Sequence, residues 1–202
     1  MFNRHFLGKC AIKGDFMAVD ARVRYTKMMI KKTLIDLMKN KHISKISVKE
    51  ICDTAQINRS TFYKHYNNVE DLVEKIEAEL INELKKSVNQ SKKKGTKKTL
   101  VEMLEVMKSD IDLYCVLLSE NGDAFFRNKL VSELYTELLE TFRYNFSVLP
   151  QEEHNWLLAF LDNGAFGVLD CWIIYGMKEP TERVAEFMET VMNSAIKAVI
   201  KR

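Results

Sequence analysis

Only two prolines and seven glycines interrupt the 202 residues, so the chain has few helix breakers and little material for the tight turns of a many-stranded β fold. Strict alternation of apolar and polar residues, the mark of a half-buried strand, is also scarce. The four cysteines, Cys10, Cys52, Cys115 and Cys171, lie far apart without a C-x-x-C pair, which argues against a zinc site or a disulfide framework. They read as reduced core thiols, with Cys52 and Cys171 inside apolar helical patterns. His5, His42, His65 and His154 share no metal-ligand spacing with one another or with cysteine, and there is no Gly-rich phosphate loop, G-x-S-x-G elbow or H-E-x-x-H. No catalytic residue, metal or cofactor is therefore assigned, and the chain is read as a non-enzyme. The first stretch, MFNRHFLGKCAIKGDF, has too short an apolar run for a secretory signal, and the expected location is the reducing cytoplasm.

What is present is helix-forming. Hydrophobic residues make up 47% and charged residues 29%, enough to bury a core, and Leu, Met, Lys and Glu are abundant. The expected fold is all-α, with about nine helices. Net charge is only +3, but it is unevenly placed. Residues 1–66 carry 14 Lys and Arg against 5 Asp and Glu, a balance of +9; the remaining 17 against 23 give −6. Clustered cations attract phosphate where scattered ones cancel, so a polyanion-binding head on a differently employed body is indicated. One run, WLLAFLDNGAFGVLDCWIIY at 156–175, approaches the length of a membrane span. Asp162, Asn163 and Asp170 oppose that reading, a mid-bilayer carboxylate alone costing about 2.5–3.5 kcal/mol. A buried or interfacial helix is expected, with no membrane partner.

Ile30, Leu34, Leu37 and Met38 recur at helical spacing, predicting a first helix from about Arg22 to Lys39; residues 1–16, ahead of Met17, are assigned no regular element. Ser47 opens S-V-K-E, a capping box in which Ser47 accepts from the Glu50 amide while the Glu50 side chain reaches back. Val48, Ile51, Cys52 and Ala55 then repeat at 0, 3, 4, 7 in a second helix, which breaks at Gln56-Ile57. Asn58 caps a third short helix that turns Phe62 and Tyr66 inward. This is a helix-turn-helix. With its aromatics anchored, the third helix projects Arg59, Ser60, Tyr63 and Lys64 outward, able to enter the ~12 Å major groove of DNA. The candidate DNA contacts are Ser47, Lys49, Asn58, Arg59, Ser60, Thr61, Tyr63, Lys64 and His65. A fourth helix, N-capped by Asn68, continues to about Val88; QSKKKGTKK at 90–98 reads as a loop; further helices are expected near 100–108, 111–118, 125–146, 152–175 and 182–201. The domains are thus an extension at 1–21, a helix-turn-helix at 22–68 and a helical body at 69–202.

The run T-A-Q-I-N-R-S-T-F-Y-K-H-Y-N-N-V-E-D-L, Thr54 to Leu72, resembles the DNA-binding region of the tetracycline-repressor (TetR/AcrR) family of bacterial one-component regulators, over about 50 residues from Arg22. Two positions depart from the family pattern: Gln56 stands where a turn glycine is usual, and Val69 where a lysine is. The resemblance implies a ligand-responsive regulator, a repressor by expectation. It would bind a palindromic double-stranded operator as a homodimer joined through the last two helices, with a small-molecule effector, unidentified, in the body. Candidate effector contacts are Tyr114, Phe125, Tyr135, Phe142, Phe160, Asp162, Phe166 and Asp170, the two aspartates expected on one helix face and equally open to pairing with Arg or Lys of the neighbouring subunit. The segment from Phe160 to Ala185 loosely resembles dihydroxyacetone kinase regulators. That branch carries the alternative of a coactivator that works through a protein partner rather than on DNA directly.

Overall fold

The computed structural model describes residues 8–123, 125–141 and 146–200. Among these residues there are nine α-helices, three short 3-10 turns and no strand. The chain packs as two units, one holding the described residues up to Ile76 together with Cys115–Asp123, the other holding Glu77–Tyr114 and the described residues beyond Asp123.

In the first unit α1 is Gly8–Met38, α2 Val48–Ala55 and α3 Arg59–Tyr63. α1 starts well before the expected Arg22. Nothing between Gly14 and Met38 breaks a helix, and Ala, Met, Lys and Arg propagate one without an apolar stripe to announce it. Of the stretch assigned no fold, 8–16 is helical, and 1–7 lies outside the described residues. Ile30, Leu34, Met38, Ile51, Cys52, Phe62 and Leu72 form the buried core of this unit. Ser47 caps α2 as expected, its hydroxyl accepting from the Glu50 amide at 3.2 Å. Glu50 does not reach back; its carboxylate takes Lys41 Nζ instead, an ionic partner preferred to one more neutral amide. Asn58 occupies the N-cap of α3, but its side chain makes no cap hydrogen bond there. α3 is thus held by packing rather than by its cap.

Gln56 ends α2 in the left-handed region, φ 54° and ψ 44°. A side chain there costs about 1–2 kcal/mol that glycine avoids. Glycine also loses more entropy on folding, which takes back about 0.4–1 kcal/mol. Gln56 is exposed and has no packing to lose, so Gln56→Gly is expected to stabilise the head by about 0.5–1 kcal/mol, read as a higher denaturant midpoint with unchanged slope.

α4, Val69–Ser91, is capped reciprocally: Asn68 Oδ1 accepts from the Asp71 amide at 2.7 Å and Asp71 Oδ2 from the Asn67 amide at 2.8 Å. Residues 69–76 of α4 belong to the first unit and 77–91 to the second. The second unit continues with α5 Thr96–Ser109, α6 Ile111–Leu118 (to Tyr114), α7 Phe126–Leu139, α8 Gln151–Ile174 and α9 Thr181–Ile200. The expected loop at 90–98 is mostly helical. Only Gly95, at φ 100°, breaks the chain, and its conformation is one that other residues rarely adopt. α7 stops at Leu139, short of the expected 146, where Thr141 turns back and both its amide and its hydroxyl donate to Leu138 O. Pro150 and Pro180 sit immediately before α8 and α9, where a missing N–H costs nothing.

α7 is tied to α4 within this unit by two ion pairs, Lys129 to Glu77 at 3.0 Å and Lys85 to Glu133, and Lys92 and Glu140, each the residue that follows its helix, add a third at 2.6 Å. α5 is fastened to α9 by Glu189, which accepts from the Lys97 amide at 2.9 Å, and by the Lys97–Glu186 pair at 2.9 Å. α8 is long and apolar enough to cross a membrane by length and composition. Its Leu157, Leu161, Phe166, Leu169 and Trp172 are buried, while Asp162 is half-buried and Asp170 exposed.

Candidate nucleic-acid interface and ligand cavity

α3 is only five residues long, far below the ~12–15 at which an isolated helix holds in water. Phe62 holds it in place. Its fully buried ring meets Tyr63 edge-on at 5.7 Å and Tyr66 at 5.5 Å. Tyr66 is covered in turn by Lys75 Nζ, 5.3 Å from its ring centre, and Lys75 also donates to His65 O at 3.0 Å and pairs with Asp71 at 2.9 Å. The Asn67 amide and Lys75 together hold Asp71 below the usual carboxylate range, so this latch is ionised at neutral pH.

Anchoring one side of α3 bares the other. Asn58, Arg59, Ser60, Tyr63 and Lys64 are exposed, as are Ser47 and Lys49 at the start of α2; Thr61 and His65 are partly withdrawn. The Ser47 hydroxyl is already engaged as the cap of α2. Burial, then the ammonium groups of Lys27, Lys64 and Lys75, hold His65 below its ordinary value, so its ring is neutral at pH 7 and offers a neutral N–H. Lys27, on α1, was not among the expected residues; only the tertiary fold brings it within electrostatic reach of His65. Burial likewise pushes the Cys52 thiol up, with Arg59 partly opposing, and Cys52 is a protonated core residue as expected. Cys171 is not: it is exposed, because α8 is apolar on more faces than its own unit covers.

The second unit holds an apolar cavity of about 170 Å³, partly open to solvent, between α4, α5, α7, α8 and α9. Of the expected effector residues it gathers Tyr135, Asp162 and Phe166. The others are elsewhere. Tyr114 is fully buried outside the lining, its hydroxyl without a hydrogen-bond partner among the described residues and pushed above its ordinary value by burial. Phe125 is 74% exposed, Phe160 is 62% exposed, and Asp170 faces solvent. Phe142 lies outside the described residues. Asp162 and Asp170 fail to share a face because eight residues at 3.6 per turn leave about 80° between them. The lining is mainly aliphatic, with methionines a turn apart on two helices, Met103 with Met107 and Met188 with Met192. That paired spacing of flexible thioethers was the available signal. Among the described residues no group of three His, Cys, Asp or Glu side chains gathers that could hold a metal.

A second feature is a face with no cover. Along α8, Trp156, Phe160, Gly164, Gly167, Cys171 and Ile174 fall at steps of three and four and are all exposed, as is Tyr175 just past its end; Phe187 and Val191 of α9 border the same shallow hollow as Phe160 and Gly164. A β-carbon on Gly164 or Gly167 would meet nothing within 4 Å.

Residues 94–194, half the chain, match the family model of a transcriptional regulator C-terminal region of the TetR type. The chain belongs to the tetracycline-repressor family. Its fold agrees with that of a TetR transcriptional regulator from Streptococcus agalactiae 2603V, at 26% identity and a TM-score of 0.63 over 87% of this chain and 98% of that one. It is also similar in fold to the dihydroxyacetone kinase operon activator DhaS, at 23% identity, TM-score 0.55, 86% of this chain and 97% of that one. A third likeness is a transcriptional regulator from Aquifex aeolicus VF5, at 22% identity, TM-score 0.51, 86% of this chain and 99% of that one. No curated protein matches the chain significantly. As a member of the family, the protein is a transcriptional regulator.

Proposed function

We propose that this regulator is a cytoplasmic, ligand-responsive repressor that binds a palindromic operator as a homodimer. The observation that carries the reading is α3, where buried Phe62 and Tyr66 leave Arg59, Ser60, Tyr63 and Lys64 pointing outward from a basic unit. Donors of this kind meet phosphates and base edges in the major groove. One short helix spans too few base pairs, so a twofold pair spaced by about one DNA turn, ~34 Å, is required. The uncovered apolar face of α8 and α9 supports a second copy as the partner that supplies it. The apolar cavity is the effector site, and the response is a population shift: the effector binds one spacing of the two heads better, and α4 carries the difference.

The test is selection of bound fragments from genomic DNA with the purified protein, followed by titration of a selected site. Arg59→Ala and Lys64→Ala should each weaken binding, and the phosphate-type contact should lower the slope of log K against log salt by about one unit. Slopes unmoved by either change would remove these residues from the interface. A coactivator that acts through a protein partner is the second reading. The strained Gln56 and the buried Val69, which stands where the family's lysine would reach a phosphate, favour it. It requires the protein to select no duplex at low ionic strength.

A further inference from the structure

We propose that the cavity of the second unit takes a compact apolar amine, with Asp162 receiving its ammonium group. This deepens the proposed effector site and rests on that cavity being one. The polar groups of the wall decide the class. Thr96 donates to Thr141 O at 2.9 Å, Thr99 to Gly95 O at 3.1 Å and Thr141 to Leu138 O at 2.7 Å, so their hydroxyl protons are committed to the chain itself. The Tyr135 hydroxyl stands 3.3 Å from His154 Nε2. Among the described residues Asp162 is the only charged side chain in the lining, and it makes no hydrogen bond or ion pair with any of them.

Among the described residues the cation that acts on Asp162 is Arg127, whose guanidinium lies over the Phe166 ring, 3.9 Å from its centre. It is not within ion-pairing distance of the Asp162 carboxylate. Burial pushes Asp162 above the usual carboxylate range, and Arg127 offsets this only in part. A half-buried carboxylate with unused acceptor oxygens favours a ligand that brings both donors and positive charge, and it repels an anion. The remaining wall is aliphatic or aromatic and asks for a hydrocarbon body. A cavity of about 170 Å³ compares with the roughly 150 Å³ that holds benzene, so that body is about one ring with a short arm.

The experiment uses the full chain with methyl-labelled methionine and three probes on one phenyl scaffold: 2-phenylethylamine, 2-phenylethanol and phenylacetate. Resonances of Met103, Met107, Met188 and Met192 report binding inside the cavity. The amine should bind about tenfold tighter than the alcohol, and phenylacetate weakest. Asp162→Asn should bring the amine to the alcohol's affinity without changing the alcohol's, and Asp162→Glu should keep the amine's advantage. Phenylacetate binding as tightly as the amine, or an amine preference that survives Asp162→Asn, overturns the assignment of the amine class while leaving the cavity as a ligand site. If no probe moves the four methionines, the cavity reading falls with it. Cavity binding of the amine without any change in DNA affinity supports the assignment and refutes the effector reading instead.

Discussion

Phe62→Ala is expected to destabilise the helix-turn-helix unit by about 3–5 kcal/mol and to abolish DNA binding. The magnitude follows from deleting a fully buried ring, with a further ~0.5–1.5 kcal/mol from its contacts with Tyr63 and Tyr66. The consequence is larger than the number suggests, because α3 has five residues and no side-chain N-cap bond to hold it. Without Phe62 its helical state has no tertiary support, and Arg59, Ser60, Tyr63 and Lys64 lose their common direction. A whole domain is stable by only about 5–15 kcal/mol, so the loss removes most of the margin. Hydrogen exchange of the α2 and α3 amides should show protection lost there first, with the amides of α5 and α9 still protected. Phe62→Leu, which keeps most of the volume, should cost under about 1.5 kcal/mol and retain binding. If Phe62→Ala binds DNA with native affinity, α3 is not what presents the donors.

The head was legible in sequence because its determinants are local. Ser47 with Glu50, the 48/51/52/55 spacing, and the Phe62–Tyr66 pair all fall within twenty residues, and each fixes a backbone or packing choice almost by itself. The left-handed backbone at Gln56 was not read from the residues; only the family resemblance, which has a turn glycine there, marks the position. The capping of Glu50 failed for a non-local reason: Lys41, nine residues earlier, offers its carboxylate a better partner. The cavity was legible only in part, for the same reason on a larger scale. Its wall is drawn from five helices, and periodicity states which residues share a face without stating what that face meets. Aromatic side chains are the lining that composition suggests, yet Tyr114 fills a core, Phe125 stands in solvent and Phe160 lies on the uncovered face, while leucines and methionines line most of the space. Asp162 does line the cavity, since a carboxylate in an apolar helix has few destinations.

The uncovered face of α8 and α9 yields the second large effect. Phe160→Asp and Phe187→Asp are each expected to raise the dimer dissociation constant by about a thousandfold. In a twofold interface each residue is counted twice, and a central apolar anchor replaced by a charge costs at least ~2 kcal/mol per copy, giving about 4 kcal/mol in all. Trp156, Phe160 and Phe187 are 67%, 62% and 57% exposed in a single chain, so neither substitution disturbs the core of the subunit. The melting of the isolated chain should therefore change by no more than the ~0.5 kcal/mol usual at a surface. Sedimentation at micromolar concentration should give a dimer for the native protein and a monomer for both variants, and Met28→Asp, at an exposed apolar residue of α1 rather than of α8 or α9, should remain a dimer. Operator affinity should fall together with dimerisation, because a monomer holds one half-site while two linked heads gain an effective concentration at the second. A variant that sediments as a monomer yet keeps native operator affinity would separate DNA binding from this face, and a native protein that is itself monomeric would leave the exposed stripe of α8 to some other partner.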